Sequence, residues 1–84
     1  YVHLGEYEEA IADYNEALRL RPEYASAYYN LACLHSLQQD IEPCVESLKR
    51  AIELDESQKE KGRSDPDLEW ARQDERVRKL LGMD

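Results

Sequence analysis

The chain has 84 residues, of which 42% are hydrophobic and 36% are charged, and its formal net charge is −8. This length fits one small domain, which buries only about 60% of the surface of its unfolded chain. No stretch approaches the roughly 20 apolar residues that a membrane helix needs, and no basic segment followed by an apolar run marks a secretion signal. The two cysteines are too few for a disulfide framework. We therefore expect reduced thiols and a cytoplasmic protein.

The first long helix is predicted from Tyr7 to Leu20, where apolar residues recur at every third or fourth position and draw one stripe down a helix. Residues 1–4 are predicted to be the last turn of an earlier helix, which Gly5 ends. Pro22 is expected to stop the Tyr7–Leu20 helix.

Two more helices follow at short intervals. One is predicted over Ala25–Leu37 and the next over Ile41–Leu54. Asp40 stands where it can cap the second of these, and Pro43 falls in the first turn, where its missing amide hydrogen costs little.

The last 26 residues have a different pattern. Asp65 and Pro66 form a typical helix start, a capping residue followed by proline, and Asp74 marks a second start. Gly82 is expected to end the last helix. The apolar residues of this segment fall in two groups: Val77, Leu80 and Leu81 on one face, Leu68 and Trp70 on another.

An internal repeat relates the two helices over residues 7–20 and 41–54. At an offset of 34 residues small side chains match small ones and bulky match bulky: Ala10 and Cys44, Ile11 and Val45, Tyr14 and Leu48, Ala17 and Ala51, Leu18 and Ile52. A period of 34 is typical of helix-turn-helix repeats, whose units bury their apolar faces against one another. We expect the small residues Ala10, Ala32 and Cys44 to lie where two helices come within about 8–10 Å.

The repeat resembles the tetratricopeptide family. The residues that carry the resemblance are Tyr28, Leu31, Ala32, His35, Cys44, Leu48 and Ala51, at the spacings where that family tends to show Trp, Leu, Gly, Tyr, Ala, Phe and Ala. The resemblance implies an all-α fold of antiparallel helix-turn-helix repeats stacked as a right-handed superhelix. It places one partial and one complete repeat in residues 1–58. Residues 59–84 resemble the helical capping element that follows the last repeat of many bacterial members.

Charge is concentrated in the repeats. Residues 1–58 hold 12 acidic and 4 basic side chains, whereas residues 59–84 hold 7 of each. This balance argues against nucleic acid and against anionic membranes as partners, because both need clustered Lys and Arg. We interpret the acids of the first long helix, Glu8, Glu9, Asp13 and Glu16, as a solvated outer face, with recognition of a basic partner as the alternative.

The resemblance also indicates a binding surface, because the first helix of each tetratricopeptide repeat lines the concave groove. That helix, Ala25–Leu37, contains no Asp, Glu, Lys or Arg. Its outward positions are predicted to be the partner-binding residues: Ser26, Tyr29, Asn30, Cys33, Ser36 and Leu37. The Lys and Arg of a carboxylate clamp are missing, so the surface suits a protein or peptide held by packing on Tyr29 and by hydrogen bonds. The alternative is that the uncharged helix is packed between neighbours.

No other chemistry is indicated by the sequence. His3 and His35 lack metal-type spacing with the cysteines, no glycine-rich phosphate loop is present, and no nucleophile stands beside a plausible base. We expect neither enzymatic activity nor a catalytic residue, metal or cofactor. The alternative to partner binding is structural assembly within a longer scaffold or a homo-oligomer, in which Tyr1, Tyr7, Ile11 and Tyr14 at the amino-terminal edge meet another helix.

Overall fold

A computed structural model describes residues 4–83, and within this range it contains α-helices, two single turns of 3-10 helix and no strand. The helices are α1 (Leu4–Leu20), α2 (Ala25–Leu37), α3 (Ile41–Leu54), α4 (Gln58–Ser64) and α5 (Glu75–Leu80), and the 3-10 turns are Pro66–Leu68 and Ala71–Gln73. Helices α1, α2 and α3 pack in sequence through short turns. The all-α class and the helix-turn-helix packing are therefore confirmed. No helix in the described range is both long and apolar enough to cross a bilayer.

The bounds of α2 and α3 agree with the predicted helices, but the start of α1 does not. Helix α1 begins at Leu4 and continues through Gly5, so the prediction that Gly5 ends a helix is wrong. Glycine in a helix costs only about 1 kcal/mol relative to alanine, and this is too little to break a helix that tertiary packing supports. Residues 1–3, which were predicted to form the end of an earlier helix, lie outside the described residues.

Asp40 occupies the N-cap position of α3 with an extended backbone, but its side chain makes no capping hydrogen bond. An N-cap side chain usually accepts from the amide hydrogen of the second or third helical residue. The third helical residue here is Pro43, which has no amide hydrogen to donate. The predicted cap is therefore right in position and wrong in its hydrogen bond.

The core forms where α2 meets α3. Ala32 of α2 and Cys44 of α3 are fully buried, as expected for small residues at a close helix contact, and Leu48 and Ala51 of α3 are fully buried beside them. The core continues into the carboxyl-terminal part of the chain, where Leu68, Ala71, Val77 and Leu81 are also fully buried. The structure therefore has one continuous core with α2 and α3 at its centre.

The two copies of the repeat are buried to different extents. In α1 the matched residues Ala10, Tyr14 and Ala17 are only half-buried, and no residue from Glu6 to Leu20 is fully buried. The side chains Ile11 and Val45, which also match, are both half-buried. Helix α3 is covered by α2, α4 and α5, whereas α1 packs mainly against α2. The acids Glu8, Glu9, Asp13 and Glu16 are all exposed.

Residues 58–83, called the C-terminal segment below, contain one helix that was not predicted. Helix α4 has the polar sequence from Gln58 to Ser64, which shows no apolar period. Gly62 of this helix is buried, and a Cβ atom there would lie 2.5 Å from Cδ2 of Leu81. The absence of a side chain at residue 62 therefore allows α4 to approach the end of the chain closely.

Hydrogen bonds to backbone carbonyls hold the C-terminal segment in its folded path. Arg72 donates from Nη1 to the carbonyl oxygens of Gly62 at 2.8 Å and Asp65 at 2.7 Å. Arg63 donates from Nε to the carbonyl oxygen of Leu81 at 2.6 Å. These arginines satisfy carbonyl groups that the short helical pieces leave without partners.

Two of the predicted helix signals in this segment give shorter elements than expected. Asp65 accepts a hydrogen bond from the amide of Asp67, but only one 3-10 turn follows it. Asp74 caps α5 by accepting from the amide of Arg76, and Gly82 ends that helix with φ +71°. The capping residues and Gly82 thus mark the positions where these elements start and end. The chain changes direction between the short elements, and this brings Leu68, Ala71 and Val77 into one core.

One hydrogen bond joins the C-terminal segment directly to α2. The hydroxyl of Tyr29 donates to Oδ2 of Asp65 at 2.7 Å, and Sγ of Cys33 lies 3.9 Å from the same oxygen. On the other side of this carboxylate, Oδ1 accepts from the amide of Asp67 at 2.9 Å. Asp65 therefore both starts a 3-10 turn and fixes that turn against α2.

We expect substitutions at helix contacts to lower the free energy of unfolding less in α1 than in α2 and α3. Ala32→Leu should lower the free energy of unfolding by about 1–3 kcal/mol through overpacking, and Leu48→Ala should lower it by about 2–5 kcal/mol through cavity formation. Ala10→Leu and Ile11→Ala should each cost less, because both positions are half-buried. Urea unfolding of the four variants is the measurement. Equal losses at residues 10 and 32 would contradict the burial difference between the two repeats.

We expect Tyr29→Phe to loosen the C-terminal segment, because it removes a hydrogen bond to a carboxylate worth about 1.5–3 kcal/mol. Urea unfolding should show this loss, and amide hydrogen exchange should speed up within residues 58–83. Tyr28→Phe is the matched control. The guanidinium carbon of Arg50 lies 6.0 Å from the centre of the Tyr28 ring, and phenylalanine keeps that ring. If both variants behave alike, the Tyr29 hydroxyl does not hold the segment.

Candidate partner-binding surface

The six predicted partner-binding residues lie along α2, but they are not equally accessible. Tyr29, Cys33 and Ser36 are buried, with 3%, 7% and 1% of their surface exposed. Ser26 and Asn30 are half-buried, and Leu37 is 43% exposed. The expectation that all six side chains face outward is therefore wrong for three of them.

The C-terminal segment is the physical reason for this difference. The 3-10 turn Pro66–Leu68 and helix α4 both pack against α2. The Asp65 carboxylate accepts a hydrogen bond from the hydroxyl of Tyr29, and the ammonium of Lys61 lies 5.1 Å from the centre of the Tyr29 ring. Tyr29 is thus a buried anchor for the C-terminal segment and not an open aromatic platform. On the side of α2 that carries Tyr29, the alternative interpretation therefore holds: the uncharged helix is packed against a neighbouring segment.

The buried side chains of Tyr29 and Cys33 are neutral hydrogen-bond donors. Burial raises the pKa of the Tyr29 hydroxyl, and the hydrogen bond to Asp65 raises it further. Burial likewise raises the pKa of the Cys33 thiol to about 12, with Asp65 and Asp67 adding to the shift. Both groups therefore keep their protons at neutral pH and stabilise the Asp65 carboxylate as donors. A protonated, buried thiol is a poor nucleophile.

Cys33, Asp65 and Asp67 bring three ligand atoms within 4.8 Å of one another, as in a metal site. The Asp65 carboxylate is already bonded to the Tyr29 hydroxyl and the Asp67 amide. A metal would need the Cys33 thiolate, and the raised pKa of this thiol opposes its formation. The cluster is accounted for by the docking of the C-terminal segment on α2.

His35, which stands where the family tends to show tyrosine, is half-buried. Its Nδ1 atom has no hydrogen-bond partner among the described residues, and burial lowers the pKa of the imidazole. Cys44, the other cysteine of the core, also has a pKa raised by burial, to about 12. His35 and Cys44 therefore act in this fold as packed, neutral side chains.

A strip of α2 remains accessible beside the C-terminal segment. Its residues are Ser26, Asn30 and Leu37, which are four and seven positions apart and so lie within about 40° of one another around the helix. No charged residue of α2 interrupts the strip, since the helix contains none. The accessible strip offers a hydroxyl, an amide and an exposed leucine.

Two residues that shape this surface were missed by the sequence reasoning. Asp65 was interpreted only as a helix cap, although its carboxylate also reaches Tyr29. Lys61 belongs to the polar helix α4, and it places a cation over the Tyr29 ring. No local pattern signals either contact, because each joins residues more than 30 positions apart in the chain.

Two family models match the chain. A model described as TPR repeat matches residues 1–39, and a model described as tetratricopeptide repeat matches residues 25–58. Together they cover α1, α2 and α3, the helices that show the internal repeat.

Three curated proteins are similar to the chain. Human tetratricopeptide repeat protein 36 is 42% identical over 50 residues, which are 60% of this chain and 26% of that protein. A chloroplastic protein from Arabidopsis thaliana is 32% identical over 80 residues, which are 92% of this chain and 24% of that protein. Heat shock protein STI1 from Saccharomyces cerevisiae is 30% identical over 59 residues, which are 70% of this chain and 10% of that protein.

The match to the Arabidopsis protein is long enough to include part of the C-terminal segment as well as the repeats. The chain spans about a quarter or less of the length of these relatives. No solved structure gives a significant match. The internal 34-residue period, the packing of α1 to α3 and both family models agree, so this is a protein that contains tetratricopeptide repeats, a family whose repeats generally mediate protein–protein interactions.

Proposed function

We propose that this chain is a protein-interaction module that holds a peptide segment of a partner protein along the accessible strip of α2. The uncharged composition of this helix supports the proposal. Its 13 residues include no charged side chain, in a chain of which 36% is charged. After the C-terminal segment has covered Tyr29 and Cys33, Ser26, Asn30 and Leu37 remain accessible on one side of the helix.

The dimensions of the strip limit the size of the bound segment. From Ser26 to Leu37 the helix rises by about 16 Å, at about 1.5 Å per residue. An extended peptide rises about 3.3 Å per residue, so about five residues of it match this length. Asn30 lies between the ends of the strip, where its amide can both donate to and accept from a peptide backbone. Leu37 supplies the apolar contact at one end.

The bound segment should be neutral at its centre, because α2 supplies no charge to pair with a buried ion. Packing and backbone hydrogen bonds are the recognition forces that this surface offers. The proposal gives the chain no catalytic role.

We expect Asn30→Ala to weaken the binding of neutral peptides by about two- to tenfold, the effect of losing a hydrogen bond. Short neutral peptides would be selected from a displayed library, and their affinities measured by fluorescence polarisation. Asn15→Ala is the matched control, since Asn15 is an exposed residue of α1. Circular dichroism should show equal helicity in all proteins. Unchanged affinity in Asn30→Ala would remove the strip as the binding site.

Structural assembly is the second candidate function, and the burial difference between the repeats favours it. Cys44, Leu48 and Ala51 of α3 are fully buried, but their counterparts in α1 are half-buried. A further helix laid on α1, as α2 is laid on α3, would complete the burial of Ala10 and Tyr14 and would cover more of Ile11. Repeats of this kind generally need about three units for stability.

We expect sedimentation at several concentrations to show self-association of the chain if α1 serves as an assembly surface. Ile11→Ser and Tyr14→Ser should then shift the chain toward monomer, because each reduces the apolar area of that face. Ile52→Ser, in the matched α3, controls for a general loss of stability. A strict monomer down to low micromolar concentration would exclude self-assembly through α1.

A further inference from the structure

A groove that adjoins the accessible strip at Leu37 lies where the C-terminal end of α2 meets the C-terminal segment. We call it the Trp70 groove, and its main lining residues are Leu37, Pro66, Asp67, Glu69, Trp70 and Gln73. It is an open hollow of about 320 Å³. A second hollow of about 240 Å³ shares Trp70 and Gln73 with it and extends to Ile41 and Asp74. The two hollows therefore lie next to each other, with Trp70 and Gln73 in the walls of both.

Apolar groups form part of the wall of the groove. The Trp70 side chain is half-buried and packs on the core, so its indole is held in place while part of it faces the groove. Leu37, 43% exposed, and Pro66, also exposed, add to the apolar wall. An aromatic ring fixed by the core is a good contact for an apolar side chain, since it loses little conformational freedom on binding.

An unpaired polar group lies at the inner side of the groove. Ser36 is 1% exposed, it lines the hollow, and its hydroxyl has no hydrogen-bond partner among the described residues. A buried hydroxyl without a partner costs free energy that a ligand group can recover.

The charged residues that line the groove are all acidic. Asp67 and Glu69 are exposed lining residues of the larger hollow, and Asp74 lines the smaller one. Among the described residues, no Lys or Arg lines either hollow. Arg76, the cation that pairs with Asp74 at 3.3 Å, is also engaged with Glu42 at 2.6 Å. Asp67 and Glu69 therefore give the rim a negative potential that suits a cationic ligand.

We propose that the Trp70 groove is a second docking site, which takes a basic segment of a partner protein with an apolar side chain next to Lys or Arg. The apolar side chain packs on Trp70 and Leu37, and the neighbouring cation pairs with Asp67 or Glu69. The groove shares Leu37 with the strip, but neither acid belongs to the strip, so charge variants at Asp67 and Glu69 test this site separately from the function proposed above.

Intrinsic fluorescence tests the proposal directly, because Trp70 is the single tryptophan of the chain. The probe is a short capped peptide with one leucine between two lysines in a Gly and Ser background. We expect it to shift the Trp70 emission saturably, with a dissociation constant below about 1 mM. The same peptide with glutamates in place of the lysines should leave the emission unchanged. Added salt should weaken binding by screening the exposed charges.

Charge variants separate the groove from the general negative charge of the chain. Asp67→Asn with Glu69→Gln should weaken binding of the lysine peptide by about three- to tenfold, the combined effect of two exposed charge pairs. Glu8→Gln with Glu9→Gln removes the same charge from α1 and should leave the affinity unchanged. Glu69→Gln alone, at an exposed position, serves if Asp67→Asn disturbs folding, and should weaken binding about twofold.

Any one of the following results would overturn the proposal: no emission shift up to about 1 mM peptide, equal binding of the glutamate peptide, unchanged affinity in the groove variants, or equal weakening in the α1 control. A change of Trp70 emission with protein concentration alone would show that a second copy fills the groove, and would also overturn it. Asn30→Ala should bind the lysine peptide as the unmodified chain does. Loss of binding in this variant would mean that the peptide occupies the strip instead.

Discussion

The close contact between α2 and α3 is the interaction on which the rest of the structure depends. Ala32 and Cys44 are fully buried at this contact, and their small size lets the helices approach closely enough for Leu48 and Ala51 to leave water. Once α2 is fixed on α3, its two remaining sides become surfaces for other parts of the chain. Helix α1 packs on one and the C-terminal segment on the other. A change at this contact would therefore reach both the amino-terminal edge and the partner-binding surface.

The C-terminal segment does two things at once. Its residues Leu68, Val77 and Leu81 complete the core that α2 and α3 begin. It also decides which part of α2 remains available, because Asp65 bonds to Tyr29 and the turn that follows it packs on the helix. Most of its polar residues are exposed, while its apolar residues join the core beside α2 and α3. Its assignment as a capping element of the bacterial kind stays a prediction.

The two accessible surfaces of the chain differ in chemistry. The strip on α2 is uncharged and offers Asn30 for backbone hydrogen bonds. The Trp70 groove is apolar at its wall and acidic at its rim, although the residues from 59 onward are balanced in charge overall. This local acidity arises because three of the four arginines of the segment, Arg63, Arg72 and Arg78, donate to backbone carbonyls, while Asp67 and Glu69 remain exposed. Net charge therefore describes this region poorly, and the positions of the side chains determine the potential.

The sequence by itself determined the repeat and its two best helices. The apolar spacing in α2 and α3 is a local property, and the 34-residue period is read directly from matched residues such as Tyr14 and Leu48. Helix α4 could not be predicted, because its polar residues carry no period and contacts around Gly62 hold it. The burial of Tyr29 and Cys33 was decided only by the tertiary structure, because Asp65 and Lys61, which contact them, come from residues 58–83. Helical geometry gives the direction of a side chain from its own helix, but whether another segment lies there depends on long-range packing.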